Sequence, residues 1–160
     1  LVEVDISTHE CTGADTACNG PDASSSSSSH PHTQPSPVYP DLIQNWMDPY
    51  HQDRHVRRFC QIHGIQYMAY SSFGTQWNKG IHNPVLTSPV LLEIASRNGV
   101  AVTKVILTWL KQLHVVSLPK STSSTHIEAN HAVLGSDFVL SDTDMGLIES
   151  LDGTIGTPWD

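Results

Sequence analysis

The sequence predicts an α/β fold with a parallel sheet, because three short apolar segments alternate with helical patterns. Strands are expected over residues 42–47, 65–72 and 115–118. A second observation is that each strand is followed by turn residues and then by a helix, as in βα units. Three parallel strands leave two unpaired edges and are too few to close a barrel, so the sheet is expected to be incomplete.

Five helices are predicted from apolar faces of helical period and from residues typical of helix ends. They are expected over residues 53–63, 89–98, 104–113, 125–134 and 141–151. Ser88 and Pro89 provide an N-cap and an N1 proline for the second helix, and Thr103 is expected to cap the third. Ser141 and Asp144 have the spacing that opens the last helix with a capping box.

A polar turn follows the third strand. Lys120 and a run of hydroxyl residues (121–124) precede a helix that is expected to begin with a capping box formed by Thr125 and Glu128. Free backbone N–H groups, the positive end of a helix dipole and one mobile cation are together typical of a phosphate site. The residues alone fit a polar surface loop that caps a helix equally well.

The first 37 residues differ in composition from the rest of the chain. Residues 7–37 contain a run of six serines, three prolines near the end of the segment and almost no large apolar residues. Such a segment buries too little apolar surface to offset the entropy of ordering it, so disorder is predicted for residues 1–37. A phosphorylated or partner-binding insertion is the functional alternative. Residues 38–160 are expected to form the folded domain.

Charge and cysteine content limit the partners of the chain. The formal net charge of −8 argues against nucleic acid or an anionic membrane as a partner, and no apolar run approaches the roughly 18 residues of a membrane span. The three cysteines form no C-x-x-C pair, which suits a reducing compartment such as the cytoplasm. Cys60 lies on an apolar helix face and is expected in the core.

A metal site is the alternative that the ten histidines raise. Five residues near the N-terminus have side chains that bind zinc in other proteins, but their spacing matches no standard zinc pattern. No metal site is therefore predicted. The five residues are His9, Cys11, Cys18, His30 and His32.

Four segments in order resemble one enzyme family. LPKSTSSTHIEAN (118–130) is similar to the last strand, loop and helix of the aldo-keto reductases, whose P-K-S-x-x-x-x-R-I-x-x-N pattern holds the 2′-phosphate of NADP(H). LIQNWMDPY (42–50) and IQYMAYSSFG (65–74) resemble the sixth and seventh barrel strands, and FVLSDTDM (138–145) resembles the segment before the closing helix. The resemblance spans roughly residues 38–152.

The resemblance implies an incomplete (β/α)8 TIM barrel that contains its C-terminal portion, strands six to eight. A complete barrel typically needs about 250 residues and at least about 200. Because the chain has 160 residues and begins at Leu1, a fragment is expected. The family reduces aldehydes or ketones to alcohols with NADP(H), so a small carbonyl substrate is expected for the full-length protein, and NAD(H) remains open as cofactor.

The resemblance also implies cofactor contacts at matching positions. Gln44 corresponds to the glutamine that binds the nicotinamide carboxamide, and Tyr70 to the tyrosine that stacks on the nicotinamide. The remaining expected contacts lie along the pyrophosphate, the 2′-phosphate and the adenine: Ser71, Phe73, Lys120, Ser121, His126 and Asn130. His126 replaces the arginine of the family pattern, and Ala129 replaces an acidic residue. A weaker preference for NADPH over NADH is therefore expected.

The family's catalytic tyrosine, lysine, aspartate and histidine belong to the first half of the barrel. None of their motifs matches this chain, so no catalytic residue is predicted and the chain alone is expected to be inactive. The alternative function is that of a catalytically dead remnant, which binds a partner through its serine-rich arm and exposed strand edges. The oligomeric state cannot be read from the sequence.

Overall fold

The computed structural model describes residues 38–77 and 82–158 of the 160-residue chain. Three strands and five α-helices follow one another in these ranges, which confirms the predicted α/β fold. Their order is β1 (Leu42–Trp46), α1 (Arg54–His63), β2 (Gln66–Tyr70), α2 (Pro89–Asn98), α3 (Val102–Gln112), β3 (Val116–Leu118), α4 (Ser124–Ala132) and α5 (Asp142–Glu149). A single 3-10 turn, Thr75–Trp77, lies in the loop after β2.

The sheet has the strand order β1-β2-β3, and both pairings are parallel. Side chains alternate between its faces, so residues in register share a face. One such row is Gln44, Met68 and Val116, and the next row is Trp46, Tyr70 and Leu118. The described helices cover only the opposite face, where Tyr67 and Ala69 are buried.

The face that the described helices leave uncovered keeps large apolar side chains in contact with solvent. Leu42, Val116 and Leu118 are 40–43% exposed. In the described part of the chain, β1 and β3 are both edge strands, so each presents backbone groups that no neighbouring strand satisfies. An uncovered face and two unpaired edges are expected when three strands of a larger parallel sheet lack their remaining neighbours.

The core lies between the sheet and the helices, and α3 is its central element. Every residue of α3 from 105 to 110 is buried. Leu91, Ile94 and Ala95 of α2 pack into the same cluster, as does Cys60 of α1, which confirms the core position predicted for that cysteine. The described helices therefore support the sheet from one side only.

Two predicted helix starts are wrong. Thr103 lies inside α3, which Ala101 caps in an extended conformation, because the amides of Lys104 and Val105 both reach the carbonyl of Ala101. Helix α4 begins at Ser124, with Ser123 as its N-cap, so no capping box forms between Thr125 and Glu128. In both regions several hydroxyl or small residues compete for the cap, and sequence spacing cannot rank them.

The last helix starts as predicted. The hydroxyl oxygen of Ser141 accepts a hydrogen bond from the amide of Asp144, at 3.1 Å between N and Oγ. The carboxylate of Asp144 accepts in return from the amide of Ser141 at 3.4 Å, which completes the capping box. Ile148 and Leu151 are buried and Met145 is partly buried, as the apolar pattern indicated.

A polar network on the helix side of the sheet links β1, α1 and β2. One carboxylate oxygen of Asp53 accepts hydrogen bonds from the hydroxyl of Tyr67 at 2.6 Å and from the side-chain amide of Asn45 at 2.8 Å. Burial raises the pKa of Tyr67, and the hydrogen bond to Asp53 raises it further. Both effects favour the neutral phenol, so the network requires that Tyr67 keep its proton.

The Tyr67 network predicts an alkaline loss of stability. The unfolded chain releases the phenol proton near pH 10, whereas the folded chain retains it. The stabilisation that Tyr67 contributes is therefore fully present below about pH 10. Above that pH the free energy of unfolding falls by up to about 1.4 kcal/mol per pH unit because of this group. Tyr67→Phe should lower the free energy of unfolding by about 1 kcal/mol at neutral pH. Above about pH 10 it should also reduce the number of protons released on unfolding by about one, and with it the slope of the unfolding free energy against pH. Urea unfolding at several pH values measures both changes, and an unchanged slope would contradict the assignment.

Several predictions concern residues outside the described ranges. The disorder expected for residues 1–37 and the rejected zinc ligands near the N-terminus lie there. Within the described ranges no helix is long and apolar enough to cross a membrane.

Candidate functional site

A pocket of about 250 Å³ lies at the carboxyl ends of β2 and β3. Side chains that follow parallel strands meet at this edge, which is where ligands of parallel α/β proteins bind. Among the described lining residues Lys120 is the only charged one, so they give the pocket positive charge and contribute no carboxylate. It is lined by Tyr70, Ser71, Ser72, Phe73, Thr75, Leu107, Ser117, Leu118, Pro119 and Lys120.

Four of the eight residues expected to bind a cofactor line this pocket. Tyr70 is the last residue of β2, and Ser71 and Phe73 follow it in the loop. Lys120 approaches from the turn after β3 and is exposed. These residues are up to 50 positions apart in the chain and meet because β2 pairs in parallel with β3.

The other four expected residues lie outside the pocket lining. Gln44 is exposed in the middle of the edge strand β1, on the open face of the sheet. Ser121 belongs to the turn before α4, where its hydroxyl oxygen accepts a hydrogen bond from the amide of Ser123 at 3.1 Å. His126 and Asn130 are on α4, which buries no residue. The structure therefore does not bring these four residues to the pocket lining.

Residues 71–74, which begin the loop after β2, are held by several hydrogen bonds. Ser71 adopts a left-handed conformation with φ of 57°, and its carbonyl accepts a hydrogen bond from the amide of Gly74 at 2.9 Å. The side-chain amide of Asn83 donates to the carbonyl of Phe73 at 2.8 Å. Non-glycine residues rarely adopt a positive φ, and such residues are concentrated at functional sites. The geometry fixes the direction in which residues 71–74 leave the sheet.

The turn before α4 leaves donors available next to Lys120. The first intrahelical hydrogen bond runs from the amide of Ile127 to the carbonyl of Ser123, so the amides of residues 124–126 have no acceptor within the helix. No described carboxylate lies within salt-bridge distance of the Lys120 ammonium. A cation and free amides are the groups that bind a phosphate.

Ser72 lines the pocket and was not predicted from the sequence. It is 8% exposed, and its hydroxyl has no hydrogen-bond partner among the described residues. A buried hydroxyl without a partner costs about 1–3 kcal/mol, which makes Ser72 a candidate contact for a ligand in this pocket. No sequence signal singled it out, because it lies between Ser71 and Phe73 at the position that the family motif leaves variable.

A larger cavity of about 680 Å³ lies on the helix side of the sheet. Arg57, Cys60 and Trp109 are among its lining residues, and it lies away from the carboxyl ends of the strands. Burial lowers the pKa of Arg57. No cluster of three metal-binding side chains occurs in residues 38–77 and 82–158.

Known proteins match the part of the chain that forms the described fold. A sequence model of the aldo/keto reductase family matches residues 33–153. Aldo-keto reductase family 1 member A1 of Xenopus tropicalis is 32% identical over 118 residues, which cover 72% of this chain and 36% of that protein. NADP-dependent D-sorbitol-6-phosphate dehydrogenase of Malus domestica is 34% identical over 120 residues, or 73% of this chain and 38% of that protein. The chain thus spans less than two fifths of the length of these relatives.

Solved structures of the family share the fold. A mutant of Gox0644 in complex with NADPH superimposes with a TM-score of 0.63 at 29% identity, covering 76% of this chain and 42% of that chain. An aldo/keto reductase from Brucella melitensis gives a TM-score of 0.62 at 30% identity, covering 74% and 42% of the two chains. The prediction of an incomplete (β/α)8 barrel is confirmed, since three parallel strands and their helices match part of these structures.

Proposed function

Because this chain belongs to the aldo/keto reductase family, we propose that it is the part of an NADP(H)-dependent carbonyl reductase that holds the cofactor. The observation that carries the proposal is the pocket at the ends of β2 and β3, where Tyr70, Ser71, Phe73 and Lys120 converge. The NADPH bound to a mutant of Gox0644 and the NADP named for the Malus domestica relative support the choice of cofactor.

Each part of the cofactor has a complementary group in this proposal. The ring of Tyr70 stacks on the nicotinamide, and Gln44 binds the carboxamide from the open face. Residues 71–73 follow the pyrophosphate. Lys120, Ser121 and the free amides at the start of α4 hold the 2′-phosphate, because a point charge and oriented donors suit a dianion. His126 and Asn130 face the adenine.

The preference for NADPH over NADH rests mainly on Lys120 in this proposal. His126 stands where the family pattern has an arginine, and a bidentate guanidinium contact is worth about 1.5–3 kcal/mol. His126 is exposed on α4 and its imidazole offers at most one or two donors. NAD(H) is therefore the second cofactor to be tested.

A reducing compartment such as the cytoplasm is the proposed location, and the unpaired buried thiol of Cys60 suits it.

In this proposal the chemical step requires a proton donor that the described residues do not supply. When bound, the nicotinamide supplies the hydride that reduces an aldehyde or ketone. A general acid must deliver a proton to the developing alkoxide. Tyr67, the tyrosine with a raised pKa, lies on the helix side of the sheet and donates to Asp53, so it cannot serve. The proposal therefore places the proton donor in protein outside these 160 residues.

Binding and turnover test the two halves of the proposal separately. Calorimetric titration of the chain with NADPH should show binding, because the pocket residues are present. An NADPH-oxidation assay with a set of aldehydes and ketones should show no turnover by the 160-residue chain alone. Absence of NADPH binding at millimolar concentration would contradict the cofactor role, and turnover by the chain alone would contradict the missing proton donor.

Ser72 gives a sharper test of the pocket. Ser72→Ala removes the unpaired hydroxyl and should leave the free energy of unfolding unchanged or raise it by up to about 1 kcal/mol. The same change should weaken NADPH binding about fivefold, the equivalent of one neutral hydrogen bond. Thr108→Val is the matched control, because Thr108 is the other buried hydroxyl without a described partner but does not line the pocket. Equal NADPH affinity in Ser72→Ala and wild type would remove Ser72 from the site.

A partner-binding role is a second candidate that the open face of the sheet favours. Leu42, Val116 and Leu118 are exposed on it, and β1 and β3 are unpaired edges in the described sheet. The partner that fits is a set of parallel βα units that pairs with both edges. Size-exclusion chromatography with light scattering tests this. A monomer of 17.5 kDa would contradict association of the chain with itself. Co-expressed βα units should co-elute with the chain if they are the partner.

A further inference from the structure

The carboxylate of Asp48 is fully buried just after β1. Its Oδ1 accepts hydrogen bonds from the amides of Tyr50 and His51, at 2.8 and 3.2 Å. Its Oδ2 accepts from the indole N–H groups of Trp46 and Trp77, both at 2.9 Å. Burial raises the pKa of Asp48, while these four donors oppose the rise. The acceptor capacity of the group is thus used by two loops and a strand.

The two indoles that share one oxygen belong to different elements. Trp46 is the last residue of β1, and Trp77 ends the 3-10 turn in the loop after β2. Their rings meet edge to face at 5.8 Å between centroids, and the imidazole of His51 stacks on Trp46 at 4.1 Å. Asp48 therefore joins the end of one strand to the loop that follows its neighbour.

Backbone hydrogen bonds connect Trp77 to the residues that line the pocket. The amide of Trp77 donates to the carbonyl of Gly74 at 3.1 Å, and the amide of Gly74 donates to the carbonyl of Ser71 at 2.9 Å. Ser71 directly follows Tyr70, and residues 71–73 and 75 line the pocket. When Trp77 is held, the two successive turns that contain the pocket residues are held with it.

The far end of the same loop is attached to the same neighbouring segment. The hydroxyl of Tyr50 donates to the hydroxyl oxygen of Ser88 at 3.0 Å, and Ser88 is the N-cap of α2. The segment between β1 and α1 thus contacts the β2–α2 loop near both of its ends. Asp48 holds the end that carries pocket residues, and Tyr50 holds the end that does not.

We propose that Asp48 is a positioning residue for cofactor binding, which acts through Trp77 to hold residues 71–75 in the conformation that binds the cofactor pyrophosphate. The inference rests on the proposed function for its ligand. It goes beyond that function, because Asp48 lines no part of the pocket and acts only through the loop. A role in stability alone would make the two indole hydrogen bonds equivalent, whereas a positioning role makes only the Trp77 bond matter for the cofactor.

Two conservative variants separate these roles. Trp77→Phe and Trp46→Phe each delete one indole donor to the same oxygen of Asp48 and keep an aromatic ring. Hydrogen exchange is measured without cofactor at the backbone amides of residues 74 and 77. In Trp77→Phe the exchange rate at both amides should be at least about tenfold faster than in wild type. In Trp46→Phe it should stay within about twofold of the wild-type rate. Calorimetric titration with NADPH should give about tenfold weaker binding in Trp77→Phe and an unchanged affinity in Trp46→Phe.

Asp48→Asn tests the carboxylate itself. An amide offers one acceptor oxygen, so its NH₂ group must face either the two indoles or the two backbone amides, and one pair of donors is lost. The double variant Asp48→Asn/Trp77→Phe should bind NADPH no more weakly than Trp77→Phe alone, because in either orientation the effect of Asp48 on the pocket passes through the Trp77 bond. Additive losses in the double variant would contradict that route.

The outcomes are distinguishable. Equal exchange at residues 74 and 77 in the two tryptophan variants would overturn the positioning role, whether or not NADPH binds. Faster exchange in Trp77→Phe together with unchanged NADPH affinity would overturn the link to the cofactor. If wild type does not bind NADPH, the proposed function fails, while the exchange comparison still decides whether Asp48 holds the loop.

Discussion

Replacing Lys120 with glutamate is expected to weaken NADPH binding about 10- to 100-fold and NADH binding by less than about threefold. Lys120 is exposed at the mouth of the pocket and has no described carboxylate partner, so its charge is available to a ligand. The two cofactors differ only in the 2′-phosphate, and a charge-assisted hydrogen bond to a phosphate is worth about 1.5–3 kcal/mol. Calorimetric titration with both cofactors measures the difference.

The control for the Lys120 prediction is a charge reversal elsewhere. Arg58→Glu makes the same change of two charge units on the exposed surface of α1, where the arginine contacts Gln61. It should leave both affinities within about twofold, because exposed charges beyond roughly 10 Å are screened by salt. Equal losses for NADPH and NADH in Lys120→Glu would remove Lys120 from the 2′-phosphate role.

Replacing Gly74 with alanine is expected to lower the free energy of unfolding by about 2–5 kcal/mol and to abolish measurable NADPH binding. Gly74 has a φ of 80°, and an added Cβ would lie 2.3 Å from the side-chain oxygen of Asn83 and 2.9 Å from the side chain of Val85. That oxygen accepts from the amides of Val85 and Leu86, so it cannot move without breaking the loop. Thermal unfolding and NADPH titration measure the two effects.

Gly64→Ala isolates the conformational part of that cost. Gly64 also has a positive φ, of 66°, but no atom lies within 4 Å of an added Cβ. It ends α1 on the helix side, away from the pocket. The substitution should cost about 1–2 kcal/mol and leave NADPH affinity unchanged. If Gly74→Ala costs no more than Gly64→Ala, the close approach of Asn83 and Val85 is not maintained in solution.

The sequence alone determined the order and type of every described strand and α-helix. Apolar periodicity is local, and the three strands separated by helices fall where residues 42–47, 65–72 and 115–118 predicted them. The family resemblance was also readable, because its motifs at residues 65–74 and 118–130 are contiguous. The prediction of the Ser141–Asp144 capping box is confirmed for the same reason, because its two partners lie only three residues apart.

Only the tertiary structure decided which of the expected cofactor residues share a pocket. Tyr70 and Lys120 meet because β2 and β3 pair in parallel, whereas Gln44 faces the open side of β1 and His126 lies on α4. The buried hydroxyl of Ser72 and the shared oxygen of Asp48 had no sequence signal. Burial and hydrogen bonding across 29 residues, from Asp48 to Trp77, depend on how distant segments pack, which no local pattern records.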